Sequence, residues 1–352
     1  MHKQKNNNLV IILIILIAVA GCVAISRQIS NRYAADQANN IQPSKQITVS
    51  KSGSFKFTAL GDISSSKNAA HVLTKLGKTK NDFTLALGDL GYDGNGTEEK
   101  WCDFVKERIG SKHPFQLVAG NHDDGNGDGD ILAYRKCLPN KIKKITGNYG
   151  LEYYFDHKKL ARFILISPDI DDYGFSYNAG SKHYNWLSKT IDSAREKNIP
   201  WIIVGMHKNC ITIGEKTCEI EGDLLDLLVK KKIDIVLQGH EHGYMRSKQL
   251  ALTPDCPSIM INSTNSKCIK KSGNTFKKGD GTIIAISGAG GKNLRGINLN
   301  DPEKEYFQTW NGSNIGNSYG FSMFNISKNR LISEFVPATN SYTDSFSITK
   351  KN

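Results

Sequence analysis

Five short apolar runs each stop at a residue able to hold a metal ion. They are FKFTALGD at Asp62, DFTLALGD at Asp89, PFQLVAGNHD at Asn121, His122 and Asp123, WIIVGMH at His207, and IDIVLQGHEH at His240 and His242. An Asp or Asn after a strand is, taken singly, an ordinary turn or cap residue. Five such ends in one chain point to a site, because ligands of α/β proteins gather at the carboxyl ends of strands. The set suits a pair of hard or borderline cations: a carboxylate can bridge two ions, imidazoles add neutral nitrogen, and two ions about 3.5–4 Å apart can clamp a phosphoryl group. His240 and His242 face the same side of an extended segment, so one can reach each ion. In LALGDLGYDG, Tyr92 follows Asp89 by three residues. It is either a turn aromatic or a phenolate, a hard anionic donor matched to a trivalent ion.

The elements that must position these residues alternate. Helical spacing in NAAHVLTKLG, in TEEKWCDFVKERIG (with Thr97 as N-cap), in SKHYNWLSKTIDSAREKN and around GDLLDLLVKK separates the apolar runs. RFILIS adds a further strand. Continuous apolar strands alternating with helices predict an α/β protein whose sheets are buried on both faces. In the C-terminal third, GTIIAISG, YGFSMFNIS and RLISEFVP read as antiparallel strands.

The order GD, GDxxY, GNHD, a strand ending in His, and GHxH resembles the calcineurin-like metallophosphoesterases, and GD-LGY resembles their purple acid phosphatase branch. The likeness runs from roughly residue 55 to 349. It implies a four-layer αββα sandwich, α/β (α+β) in class, with two mixed sheets flanked by helices. By position, Asp62, Tyr92 and His242 would hold Fe(III), and Asn121, His207 and His240 a divalent metal (Fe, Zn or Mn), with Asp89 bridging the two. His122 would face the phosphate, and Asp123 would fix its tautomer. The wider superfamily carries Asp-x-His in its first motif; this chain has Asp62-Ile63-Ser64, a loss coupled to the gain of Tyr92. The implied activity is hydrolysis of phosphate monoesters by direct attack of a metal-bound hydroxide, an acid phosphatase. Rival readings are a phosphodiesterase on the same metals and an anchored, catalytically inactive binding or scaffold protein. Plant members of the branch carry a further histidine pair downstream of the strand-end His, whereas KNCITIGEKTCEIEGD has none, leaving Lys208 or Glu215 as replacements.

A smaller motif, Asp124-Gly-Asn126-Gly-Asp128-Gly129, matches half of an EF-hand loop but has Arg135 where the bidentate Glu belongs, so it reads as an acidic loop at the rim of the site.

The chain of 352 residues has the composition of an ordinary globular protein, and its net charge of +12 is spread without a basic stripe or nucleic-acid motif. No nucleic-acid partner is therefore expected; the phosphate-ester substrate is what the resemblance implies. Residues 1–26 read as a signal peptide or membrane anchor, uncharged from Leu9 to Ile25 behind Lys3 and Lys5. Val19-Ala20-Gly21-Cys22 also resembles a lipobox, so lipid on Cys22, an uncleaved anchor and simple secretion all remain open. Residues 27–52 read as a polar linker and 53–352 as the phosphoesterase domain. Every version is extracytoplasmic. The six cysteines other than Cys22 form no CxxC pair and read as disulfides, closeness in sequence favouring Cys210–Cys218 and Cys256–Cys268 and leaving Cys102–Cys137.

Overall fold

The computed structural model describes residues 53–350 except 171 and 174. The chain divides after Ile47, and its second unit, Thr48–Asn352, holds every described residue. The apolar segment with Cys22 and the polar linker lie outside the described residues. No described helix is long and apolar enough to cross a membrane.

The first half alternates as its apolar runs predict: β1 (Phe55–Leu60), α1 (Lys67–Gly77), β2 (Phe83–Leu87), α2 (Glu98–Ile109), β3 (Phe115–Val118) and α3 (Ile131–Cys137). Then come β4 (Thr146–Asn148), β5 (Glu152–His157), β6 (Ala161–Ile166), α4 (Lys182–Glu196), β7 (Trp201–Gly205), α5 (Gly222–Lys230) and β8 (Ile235–Gln238). Apart from two short 3-10 helices (Ser266–Cys268 and Lys304–Tyr306), the remaining elements are strands: β9 (Tyr244–Ser247), β10 (Gln249–Leu250), β11 (Ile269–Lys271), β12 (Thr275–Lys277), β13 (Ile283–Ser287), β14 (Phe307–Asn311), β15 (Gly320–Ile326), β16 (Arg330–Pro337) and β17 (Ser345–Thr349).

Two large mixed sheets result. One runs β12-β17-β16-β15-β1-β2-β3, the other β14-β9-β13-β8-β7-β6-β5-β4. Within them, β1, β2 and β3 are mutually parallel, as are β6, β7, β8 and β13. The sheets pack face to face on an aromatic core, where Phe57 stacks on Phe324 of its own sheet and meets Phe163 of the other edge-on. Apolar residues of α1, α2 and α3 cover the outer face of the first sheet. On the second, Arg162 of β6 donates to Thr190 O of α4, and Thr282 Oγ1 donates to Leu228 O of α5. These are the four layers the resemblance implies.

Two details depart from the sequence reading. Thr97 caps α2 with no side-chain hydrogen bond; its hydroxyl turns back to Gly94 O. GTIIAISG is not in an antiparallel ribbon alone: β13 pairs parallel with β8 as well as antiparallel with β9. The excursion through β9–β12 lets the chain re-enter the sheet in the direction of β8, and all five residues of β13 are buried. Its carboxyl end therefore opens on the same rim as the predicted ligands.

The three predicted disulfides are all present: Cys102–Cys137, Cys210–Cys218 and Cys256–Cys268.

Candidate metal centre

The strand ends β1, β2 and β3 of one sheet meet β7 and β8 of the other. Cross-sheet bonds lock the rims together: Gly61 N donates to Ser287 O at the end of β13 (2.8 Å), and His240 N to Asp62 Oδ2 (2.9 Å). Glycines make this approach possible. A Cβ on Gly120 would stand 2.2 Å from Asp89 Oδ1, and one on Gly239 would stand 2.8 Å from Leu87 O and 2.9 Å from Asp62 Oδ2. Asp62, Asp89, Tyr92 and His240 all adopt positive φ, between 52° and 67°. For residues with a Cβ this conformation is costly and collects at functional sites.

Six predicted ligands converge around Asp89. Its Oδ1 lies 3.1 Å from His207 Nε2, and its Oδ2 accepts from the Tyr92 hydroxyl at 2.7 Å. That hydroxyl is also 3.2 Å from Asp62 Oδ1 and 3.3 Å from His242 Nε2. His207 Nε2 faces His240 Nδ1 at 3.1 Å, and Asp89, His207 and His240 offer ligand atoms all within 4.8 Å of one another. One oxygen of Asp89 thus faces His207 and the other the phenol, with His240 reached through His207. Asn121 follows Gly120 at the same rim, and its buried Oδ1 has no hydrogen-bond partner.

The donor set fits cations. His207 Nδ1 donates to Leu87 O (2.8 Å) and His242 Nδ1 to Asn293 O (2.9 Å), because a carbonyl can only accept. With Nδ1 committed to a carbonyl, each ring has only its Nε2 to offer the cluster, as a lone pair once that nitrogen gives up any proton to a metal. Electrostatics agree. Burial pushes Asp62 up to about 8, and burial with the Asp89 charge pushes Asp123 up to about 7. Burial also lowers His240 to about 4 and, with Arg295, His242 to about 3. Burial opposes a charge on His207, but Asp89 outweighs it and lifts the ring to about 9. The metal-free cluster is balanced by protons held on Asp62, Asp123 and His207, places that cations would take over.

His122 stands at the rim, its ring tilted over Tyr92 at 4.6 Å and its Nε2 3.9 Å from Asp89 Oδ2. Asp123 is not its partner, contrary to the sequence expectation. The Asp123 carboxylate accepts from Asp89 N, Leu90 N and Gly120 N (2.7–2.9 Å), clamping the β2 and β3 ends together. Asp128 takes the expected role, 2.5 Å from His122 Nδ1. The acidic loop bends back on itself, with Gly125 N donating to Gly129 O, and so presents Asp128.

Sequence reasoning missed other neighbours. Glu219 Oε2 lies 2.9 Å from His240 Nε2, out of line for a hydrogen bond. Arg295 donates to His240 O at 2.7 Å, and Lys292 Nζ stands 3.9 Å over the Tyr92 ring. Both cations follow β13, whose sequence ends in no metal donor and so gave no signal. Lys208 is held on Asp169 O (2.6 Å), and Glu215 lies 3.7 Å from Arg295 Nε.

Residues 55–244 match the family description "Calcineurin-like phosphoesterase". The chain belongs to that family. Within it, this chain is 24% identical over 301 residues to purple acid phosphatase 1 of Ipomoea batatas, covering 80% of this chain and 58% of that one. To the Fe(3+)-Zn(2+) purple acid phosphatase 12 of Arabidopsis thaliana it is 26% identical over 231 residues, 61% of this chain and 46% of the relative. It spans about half the length of these curated relatives. A purple acid phosphatase from yellow lupin seeds shares the phosphoesterase fold, with TM-score 0.61 and 18% identity over 85% of this chain and 54% of that one.

Proposed function

We propose that this phosphoesterase hydrolyses phosphate monoesters on an Fe(III)–M(II) pair, M being Fe, Zn or Mn, and belongs with the purple acid phosphatases. One observation carries the reading: a phenol hydroxyl lies inside a buried cluster of carboxylates and imidazoles, 2.7 Å from Asp89 and 3.2 Å from Asp62. A phenol in that position suits a hard trivalent ion, and the Arabidopsis relative's printed name pairs Fe(3+) with Zn(2+). Asp62, Tyr92 and His242 would hold the iron, Asn121, His207 and His240 the second ion, and Asp89 both. When bound, the pair would polarise the phosphoryl group and acidify water, a trivalent ion more strongly than zinc.

The chain's own residues supply the rest. His122 Nε2 faces the cluster and would bind and orient the phosphoryl group, or hand a proton to the leaving oxygen. Asp128 holds the opposite nitrogen of that ring. Arg295 fixes the His240 backbone, and Asp123 sets the spacing of Asp89 and Asn121. Three disulfides and the uncharged Leu9–Ile25 segment support an extracytoplasmic domain, attached through the N-terminal segment or a lipid on Cys22.

The test is turnover of chromogenic monoester and diester substrates, with metal analysis and a visible spectrum of the purified protein. The expected result is iron with a second metal, a tyrosinate charge-transfer band lost in Tyr92→Phe, and a preference for the monoester. A strong diester preference would reassign the substrate class. A colourless protein with two divalent ions would remove the iron.

A further inference from the structure

The loop after β13 lies flat across two of the ligand motifs. Gly290 N donates to Gly61 O, Lys292 N to Asp62 O (2.9 Å) and Arg295 N to His242 O (2.9 Å). It can lie so close because it reads GAGG: a Cβ on Gly290 would come within 2.3 Å of Gly61 O, and one on Gly291 within 2.5 Å of Ala69 Cβ. Residue 292 is therefore pinned by its backbone to the residue beside the phenol. Its side chain uses that position in one way. The ammonium stands 3.9 Å from the centroid of the Tyr92 ring, and among the described residues no carboxylate forms an ion pair with it. Arg295, three residues on, is by contrast spent on His240 O and the Glu241 and Glu215 carboxylates.

We infer that Lys292 is a positioning residue acting through Tyr92, its fixed positive charge over the ring lowering the energy of the phenolate electrons and so tuning the ligand's donation to the metal. A cation over an aromatic face is attracted to its electron density, more so when the ring is anionic and partly desolvated. In a charge-transfer transition the electron leaves the ring, moving away from the ammonium. The cation therefore raises the transition energy, and its removal lowers it. The inference rests on Tyr92 holding iron, as proposed above.

The experiment compares full-length protein loaded with iron and zinc as wild type, Lys292→Met and Lys292→Arg. Absorption spectra, metal content and KM are measured on all three. Methionine keeps the length without the charge, whereas arginine keeps the charge and stacks on aromatic faces. The expected outcome is a shift of the visible band to longer wavelength in Lys292→Met at unchanged metal content, and a band near the wild-type position in Lys292→Arg. Equal shifts in both variants would trace the effect to packing and overturn the inference, as would no shift in either. A raised KM with an unshifted band would make Lys292 a substrate contact and overturn it too. A wild-type protein that binds metal but has no band would instead refute iron at Tyr92, and the inference with it.

Discussion

Asp123 and Asp128 share a loop, yet their carboxylates answer to different partners. Asp123 is fully buried and accepts three backbone N–H groups from the ends of β2 and β3. Replacing it with asparagine turns an amide N–H₂ toward at least one of those donors. Asp123→Asn is therefore expected to cost about 1–3 kcal/mol of stability, the penalty for leaving a buried donor unsatisfied, read from urea unfolding. Asp128, with 52% of its side chain exposed, holds His122 from the rim. An exposed pair contributes only about 0–1 kcal/mol, so Asp128→Asn should leave unfolding nearly unchanged. It should instead lower kcat by about tenfold or more, as loss of the outer partner of a working histidine does. If Asp128→Asn unfolds easily while kcat holds, the assignment of the two carboxylates is reversed.

At the scale of elements, the strands that end in the candidate ligands were the legible ones. Each is a mostly apolar run, almost wholly buried, that ends abruptly in Asp, Asn or His, so composition marks both the strand and its candidate functional end. β5, with polar Glu152 and Asp156 inside it, and β9, where Arg246 is buried only because Asp344 pairs with it, show no such run. The same limit hid Lys292, Arg295 and Glu219, since their place depends on β13 re-entering parallel to β8 and on a loop closed by Cys210–Cys218. That loop is also fastened by acceptors: Glu241 takes the N–H groups of Glu215 and Lys216, and Glu303 that of Thr212. With a sequence separation of 8, the disulfide should stabilise the chain by about 2–3 kcal/mol through loop entropy. A Cys210→Ser, Cys218→Ser double variant is expected to lose that amount in denaturant unfolding while keeping the fold, because Glu241 and Glu303 still hold the loop. A loss of cooperative unfolding would show that the disulfide, and not these acceptors, organises the segment.

For the whole molecule, the two sheets bring five strand ends to one rim and bury there carboxylates that, without metal, hold or attract protons. The consequence is a pH dependence specific to the metal-free protein. Asp62 is raised by burial from 3.8 to about 8, Asp123 by burial and Asp89 to about 7, and His207, by Asp89 against burial, from 6.5 to about 9. Each keeps a proton in the folded chain that the unfolded chain has released, so stability falls as pH rises between the two values. His240 and His242 act in the opposite sense, since burial lowers them from 6.5 to about 4 and about 3, but their contribution ends once pH exceeds 6.5. Below that pH the opposing groups offset one another. Above it only the loss remains. Chelated protein should therefore lose stability progressively from pH 6.5 to about 9, whereas metal-loaded protein should not, because the cations stand where those protons were. Denaturant midpoints of both forms across that range provide the measurement. Parallel curves would mean that the buried carboxylates are balanced by something other than metal.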